Sequence, residues 1–372
     1  MQKPIGIDLF CGVGGMSLGF EQGGFEIKGA YDFDPINVEY HRKNFPRTPT
    51  IEADVSKLKA DRIRSELNLG QRELDVLFGG PPCQGFSEIG QRSRDDSRSR
   101  LIYDFARLAR ELQPRYFVVE NVRGLLYGYS RPILESFLKR VKKAGYRIVE
   151  PVKVLDASHY GVPQKRQRVF ILGYREGQMA PTYPDPTHGH AEALSCPTVS
   201  DAIGDLPDLT SCDSFLTTDL FDGTLGPGSP YARMLRGDLE DKGNRSYPRT
   251  KGKSFGGFLK TGHSAETVKR FDATLQGTSE EISRCYRLSL DRQAYTLRAG
   301  TGPKHGSFTA ARPIHPVEPR CITTREAARL HSFPDWFEFH PTKWHGFRQV
   351  GNSVPPLLAR AVARVVRVAA GF

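Results

Sequence analysis

Six cysteines are spread over 372 residues (Cys11, Cys83, Cys196, Cys212, Cys285 and Cys321), and no two lie closer than sixteen positions. A C-x-x-C zinc or thiol-redox motif is therefore absent, and no metal site is expected. Long apolar runs are missing too. The most apolar stretch, AVARVVRVAA from Ala361, is interrupted by arginine and falls far short of the ~20 residues of a membrane span. No membrane partner is expected. The start, MQKPIGIDLFCG, runs directly into a strand-like segment without an apolar leader, so the expected location is the cytoplasm. Lys and Arg are absent between residues 181 and 230, which hold eight acidic residues, whereas residues 231–320 carry seventeen basic against nine acidic. This change of sign marks an organisational boundary. The formal net charge of +11 suits a polyanionic partner, and the length suits one large domain and one smaller one.

What the chain has is alternation. IGIDLF, FEIKGAYDF, LDVLFGG, RYFVVENV and RVFILGY are short β-rich runs, and between them lie helix-length segments such as DPINVEYHRKNF, RLIYDFARLAREL and PILESFLKRVKKAG. This order, up to about residue 175, predicts an α/β fold with a doubly wound parallel sheet. Pro, Gly, Ser and Thr then thicken from 181 to 230, and regular patterns return only at TTREAARLHSF and PPLLARAVARVVRV.

The first strand leads into DLFCGVGGMSLGF, Asp8 to Phe20. A strand, a glycine-rich turn and a helix let backbone amides approach a nucleotide-like ligand and aim the helix N-terminus at its negative group. The dinucleotide fingerprint is not met, because Ser17 stands where its last glycine or alanine would be. A dehydrogenase is thereby disfavoured. Roughly 20 residues beyond Gly12, Asp32 stands at a strand end where a ribose diol would lie. The pairing points to an adenosine-containing cofactor.

DLFCGVGG, GGPPCQGFS, ENV, QKRQR, REAARLHSFPD and GNSVPP resemble, in order and approximate spacing, the blocks of DNA (cytosine-5) methyltransferases of the bacterial restriction-modification type. The resemblance covers most of the chain except roughly residues 185 to 285. It implies a Rossmann-like, S-adenosylmethionine-dependent sheet with a smaller DNA-recognition domain. The division expected is a catalytic and cofactor-binding domain over 1–184, a target-recognition domain over 185–325, and a segment over 326–372 that returns to the first domain. It further implies a monomer that flips a cytosine out of a short specific target in double-stranded DNA, partnered by a restriction endonuclease acting on the same site. A lone regulatory methyltransferase would look the same. A tRNA cytosine-5 methyltransferase shares these blocks, but its Cys-Phe-Thr signature is not found here. A non-catalytic relative would have lost Cys83 or the cofactor blocks.

The site residues follow from the resemblance. Cys83 would supply a thiolate that adds to cytosine carbon-6 and makes carbon-5 nucleophilic. Pro81 and Pro82 restrict the chain before it. QGFSEIGQRSRDDSRSR after it reads as a solvent-exposed loop able to close over DNA. Glu120, at the end of an apolar strand, would have its pKa raised by burial and share a proton with ring nitrogen-3. Arg166 and Arg168 alternate along a strand and are expected on one face, towards the cytosine oxygen and the loop; by themselves they read as ordinary ion-paired arginines. For the cofactor, Phe10 and Phe33 would flank adenine, Asp32 would take the ribose hydroxyls and Asp54 the adenine amino group. Gly12 and Gly14 would clear space for the methionine end, and Pro81, Asn352 and Ser353 belong to the same site. Gln84, Ser87, Thr296 and Arg298 are the expected DNA contacts. The loops SYPRTKGKSFGGFLK and RLSLDRQAYTLRAGTGPKHGSF supply further cations for them.

Overall fold

The structure is a computed structural model that describes residues 3–70, 73–82, 100–189, 194–210, 212–249, 254–300 and 312–372. Its centre is an eight-stranded sheet of β1 (Ile5–Leu9), β2 (Glu26–Asp32), β3 (Thr50–Glu52), β4 (Val76–Gly79), β5 (Tyr116–Val122), β6 (Tyr146–Ile148), β7 (Lys153–Asp156) and β9 (Gln167–Arg175). The short β8 (Gln164–Lys165) pairs separately with β10 (Ala294–Tyr295). Spatial order is β3-β2-β1-β4-β5-β9-β6, with β7 also on β9.

The first five strands are parallel, as the alternation predicts. Strand β9 is not: it runs antiparallel to β5, β6 and β7. Parallel neighbours need a long crossover, and the link from β7 to β9 holds only a 3-10 turn and β8. Helices α1 (Gly15–Gln22), α2 (Pro35–Asn44), α3 (Ala60–Glu66), α4 (Leu101–Leu112) and α5 (Arg131–Lys143) connect the strands. They cover both faces, which is why β4 and β5 are almost wholly apolar. Alternate residues serve opposite cores. Leu77, Phe117 and Val119 pack with Phe105 and Phe137, while Phe78 and Val118 pack with Phe20. The Phe20 and Phe78 rings stack at 3.9 Å.

Beyond β9 come α6 (Val199–Ile203), α7 (Pro230–Arg236) and α8 (Ala265–Ala273), with a small core of Leu209, Phe215, Phe255 and Phe258. The chain ends in α9 (Thr324–Leu330), α10 (Lys343–Asn352) and α11 (Pro356–Ala369). A capping box between Thr323 and Glu326 opens α9, so the boundary expected between 325 and 326 falls inside a buried helix. Asp205, from the lysine-free stretch, is drawn inward. Asp205 and Asp335 together hold the buried Arg329, through Nη1 at 3.1 Å and Nη2 at 2.7 Å.

Helix α11 lies against α1, where glycines allow close approach. A Cβ on Gly19 would stand 2.3 Å from the Ala359 Cβ and 2.7 Å from the Pro356 oxygen. Gly19→Ala gains at most about 1 kcal/mol of helix propensity, but it drives a methyl group into backbone. We expect a net loss of about 1–3 kcal/mol in urea denaturation. An unchanged or raised midpoint would show that the α1–α11 contact is loose.

Candidate active site

The C-terminal ends of β1 and β2 meet at the glycine-rich turn. Phe10, Gly12 and Gly14 have φ of 63°, 55° and 109°, and this left-handed path swings the chain from β1 into α1. Gly14 has no room for a side chain, since a Cβ would lie 2.3 Å from the Phe45 ring. Gly12 differs. Nothing lies within 4 Å of where its Cβ would point, so space is open above the turn.

Asp32 shapes that turn. Its Oδ2 accepts from the Gly12 amide at 2.8 Å and its Oδ1 from the Asp34 amide at 2.9 Å. Burial raises its pKa, while the two amides oppose the shift. Phe33 follows it and is 67% exposed, whereas Phe10 is half-buried against the core. The Ala53 amide donates to the Asp32 oxygen, which brings the neighbouring Asp54 to the end of β2. Asp54 caps a 3-10 turn, its Oδ1 accepting from the Ser56 amide and hydroxyl at 3.0 and 2.7 Å. These bonds lower its pKa. Gly15 brings in the distant block: its Cβ would lie 2.4 Å from the Val354 oxygen and 3.0 Å from the Ser353 Cβ. Asn352, exposed, ends α10.

Ser17, which breaks the dinucleotide pattern, has its own work. Its hydroxyl donates to buried Asp8 at 2.6 Å and lies 3.0 Å from Nε2 of His41, whose Nδ1 lies 2.7 Å from the Thr50 hydroxyl. Burial pushes Asp8 well up and His41 down to about 3. Neutral His41 therefore contributes stability that is complete above pH 6.5 and is lost as pH falls towards 3. His41→Gln removes this titration. Between pH 6 and 4 its unfolding free energy should fall less steeply than that of the wild type, by about 1.4 kcal/mol per pH unit. Urea titrations across that range measure it, and equal slopes would mean that His41 is not held neutral.

The end of β4 passes over Glu120. A Cβ on Gly80 would stand 2.8 Å from Glu120 Oε2, so a larger residue would displace the carboxylate. Asn121, next in β5, donates from Nδ2 to the Pro81 oxygen at 3.1 Å and accepts from the Val122 amide at 2.9 Å. Sequence reasoning used Asn121 only as part of the ENV block; here it ties down buried Pro81. Cys83, Gln84 and Ser87 lie outside the described residues. Glu120 is 9% exposed, and its Oε1 is 2.9 Å from Arg168 Nε. Burial raises its pKa, with Arg168 and then Arg166 opposing. A carboxyl group whose protonated form is favoured by burial, beside a guanidinium that favours the carboxylate, can give a proton to a ring nitrogen and recover it.

Arg166 and Arg168 do not share a task. Arg166 falls in the break between β8 and β9, where strict alternation does not apply. Its guanidinium is buried, with Nη1 donating to the Leu297 oxygen at 2.8 Å and Nη2 to the Gly351 and Ser353 oxygens at 2.6 and 3.0 Å. Gln164 and His331 complete this junction and were missed as individual residues. The Leu297 amide donates to Gln164 Oε1 at 3.0 Å, Gln164 Nε2 reaches His331 Nδ1 at 2.9 Å, and His331 Nε2 reaches the Ser353 oxygen at 2.9 Å. Both stood inside quoted blocks; their partners, far away in the chain, carry no local signal.

A family model of C-5 cytosine-specific DNA methylases matches residues 5–367 of this chain. The chain belongs to that family. It is 48% identical over 363 residues to the Type II methyltransferase M.XorII of Xanthomonas oryzae pv. oryzae, covering 97% of this chain and 84% of that protein. It is 31% identical over 439 residues to the Type II methyltransferase M.AgeI of Thalassovita gelatinovora, covering 98% and 99%. In three dimensions it resembles a candidate DNA modification methyltransferase encoded within an E. coli prophage, with a TM-score of 0.81, 33% identity and coverage of 99% and 100%. The S. pombe Dnmt2 methyltransferase shares the fold at a TM-score of 0.58 and 16% identity, covering 98% of each chain. The family's reaction requires a methyl donor of the S-adenosylmethionine type.

In this methylase the expected DNA contacts divide. Arg298 is exposed, and the chain there runs against Gly351, whose Cβ would lie 2.5 Å from the Ala299 amide nitrogen. The Thr296 hydroxyl is bonded back to the chain, donating to the Lys165 oxygen at 2.8 Å. Two cations of RTKGKSFGGFLK are not surface groups at all. Arg249 pairs with Glu21 of α1 at 2.7 and 2.8 Å, its guanidinium 3.7 Å from the Tyr247 ring and 4.5 Å from Trp336. Lys260 is buried and donates to the Leu209 oxygen at 2.8 Å. Lys251 and Lys253 lie outside the described residues. A His315, Glu318 and Glu326 cluster has metal-ligand proximity, but Arg320 already pairs with both glutamates at 2.7 Å.

Proposed function

We propose that this methylase modifies carbon-5 of a cytosine flipped out of a short target in double-stranded DNA, through a covalent adduct of Cys83. The observation that carries the reading is Glu120, a buried carboxyl paired with Arg168 directly beneath Gly80, three residues before Cys83. Cys83 as thiolate forms a bond to carbon-6 while Glu120 gives its proton to nitrogen-3, so that electron density builds at carbon-5. Arg168 keeps the Glu120 carboxylate in place as that proton leaves and returns. Once carbon-5 carries the methyl group, its own proton passes to water, the electrons of that bond re-form the double bond to carbon-6, the bond from carbon-6 to sulfur breaks with its pair returning to the thiolate, and nitrogen-3 gives its proton back to Glu120.

The turn fits S-adenosylmethionine, because Gly12 opens onto free space beside buried Asp32 and exposed Phe33. When bound, that cofactor supplies an electrophilic methyl group. Asp32 and Asp54 would hold its ribose and adenine, Phe33 and Phe10 would flank the ring, and Gly14, Pro81, Asn352 and Ser353 would border the methionine end. Residues 1–184 then act as the catalytic domain and 185–325 as the recognition domain, with Thr296 and Arg298 lying at their junction; Gln84 and Ser87 would be further DNA contacts. α9 binds the C-terminal segment to both. The Type II relatives support a protective role beside a restriction endonuclease.

Cys83→Ser should abolish methyl transfer while DNA binding is largely kept, because a serine hydroxyl does not ionise in the range where a thiol does. Glu120→Gln should lower kcat by about 10²–10⁴. Tritiated methyl incorporation and mapping of methylcytosine in DNA from expressing cells read both. Appreciable turnover by the serine variant would exclude Cys83 as nucleophile, and methylation without a consensus would exclude a sequence-specific enzyme.

A further inference from the structure

Helices α1 and α11 run side by side away from the active site. Gly15 meets Ser353 and Val354 at the near end, and Gly19 and Gly23 meet Ala359 and Ala363 further along. At the far end, beside Gly24 and the start of β2, arginines gather. A Cβ on Gly24 would lie 3.0 Å from the Cδ atoms of both Arg245 and Arg367, so the two stems flank it. Arg360 and Arg364 precede Arg367 by two turns and one turn of the same helix. Lys3 joins them, its Nζ donating to the Arg245 oxygen at 3.1 Å.

Among the described residues, Asp241 is the carboxylate ion-paired in this group. Asp241 pairs with Arg360, and Arg364 spends Nη2 on the Gly243 oxygen at 2.7 Å. Arg245, Arg364 and Arg367 have no ion-pair partner among the described residues. The Nε of Arg367 is buried and bonded to nothing there. Burial and the neighbouring guanidiniums hold Arg364 and Arg367 below the usual arginine range. Arg245 and Arg364 are exposed and Arg367 is half-buried, and like charges brought together repel one another unless an anion offsets them. Elsewhere in this chain buried guanidiniums are matched by carboxylates or carbonyls, as at Arg249, Arg320 and Arg329. Here no matching carboxylate stands among the described residues.

We propose that Arg245, Arg364 and Arg367 form a phosphate-binding site at the end of the molecule opposite the active site. The planar fork of arginine suits a phosphate oxyanion. The phosphate is either that of a free ligand or that of DNA. Helix α1 alone separates the two regions by about 12 Å, so DNA reaching this site is a segment beyond the target or a second duplex.

The full chain and the Arg364→Gln/Arg367→Gln double variant test this in two ways. Thermal unfolding in sodium phosphate is compared with sodium chloride of equal ionic strength. Phosphate should raise the wild-type Tm and leave the variant unmoved. In chloride the variant should melt no lower than the wild type, because repulsion has been relieved. Binding to a short duplex and to one several times longer is then measured against salt. If the phosphate belongs to DNA, the log–log salt slope steepens with length for the wild type, by about 0.9 per added phosphate contact, and the variant loses this increment. If it belongs to a free ligand, slopes are equal and only the Tm response separates the proteins. The proposal fails if wild type and variant respond alike to phosphate and also show the same slopes on both duplexes.

Discussion

The arrangement of this methylase depends on one buried guanidinium. Arg166, 1% exposed, donates to carbonyls of Leu297, Gly351 and Ser353. Taking such a charge out of water costs several kcal/mol unless its donors are satisfied, and the carbonyls that satisfy them belong to two segments remote in sequence. The sheet is thereby locked to the strip carrying Thr296 and Arg298 and to the block that borders the cofactor turn. Lysine, a point charge with rotating donors, could not reproduce the fork. Gln164 takes the Leu297 amide and neutral His331 the same Ser353 carbonyl, so the junction has little freedom to slide.

The device recurs. Arg249 joins the segment after α7 to α1 through Glu21, Arg329 joins α6 to the turn after α9 through Asp205 and Asp335, and Arg320 holds Glu318 and Glu326. A part of the positive charge, including Arg166, Lys260, Arg320 and Arg329, is therefore interior mortar. A net charge of +11 is still an attraction for DNA, but the count of cations in a loop does not measure its contact with DNA.

Glu120 shows the same economy at the site. Desolvation favours its protonated form and Arg168 favours the carboxylate, so the two influences leave the group able to change state. Gly80 and Asn121 set the geometry in which this matters. The one admits the carboxylate against the backbone, and the other anchors the proline turn that precedes Cys83.

Local features were readable from the sequence alone. Strand and helix periods located β1, β2, β4, β5 and β9 with α2, α4 and α5, the glycine-rich stretch marked the turn at Gly12 and Gly14 between β1 and α1, and Asp32 and Glu120 were recognised at strand ends. Each depends on residues within a few positions of one another, where sterics and burial pattern act directly. Tertiary structure decided the rest. It turned β9 antiparallel, assigned Arg166 to carbonyls and Arg168 to Glu120, and took Arg249 and Lys260 inside. In each case the partner lies tens to hundreds of residues away, and desolvation, which sets what a charge will do, depends on everything packed around it rather than on its neighbours in the chain.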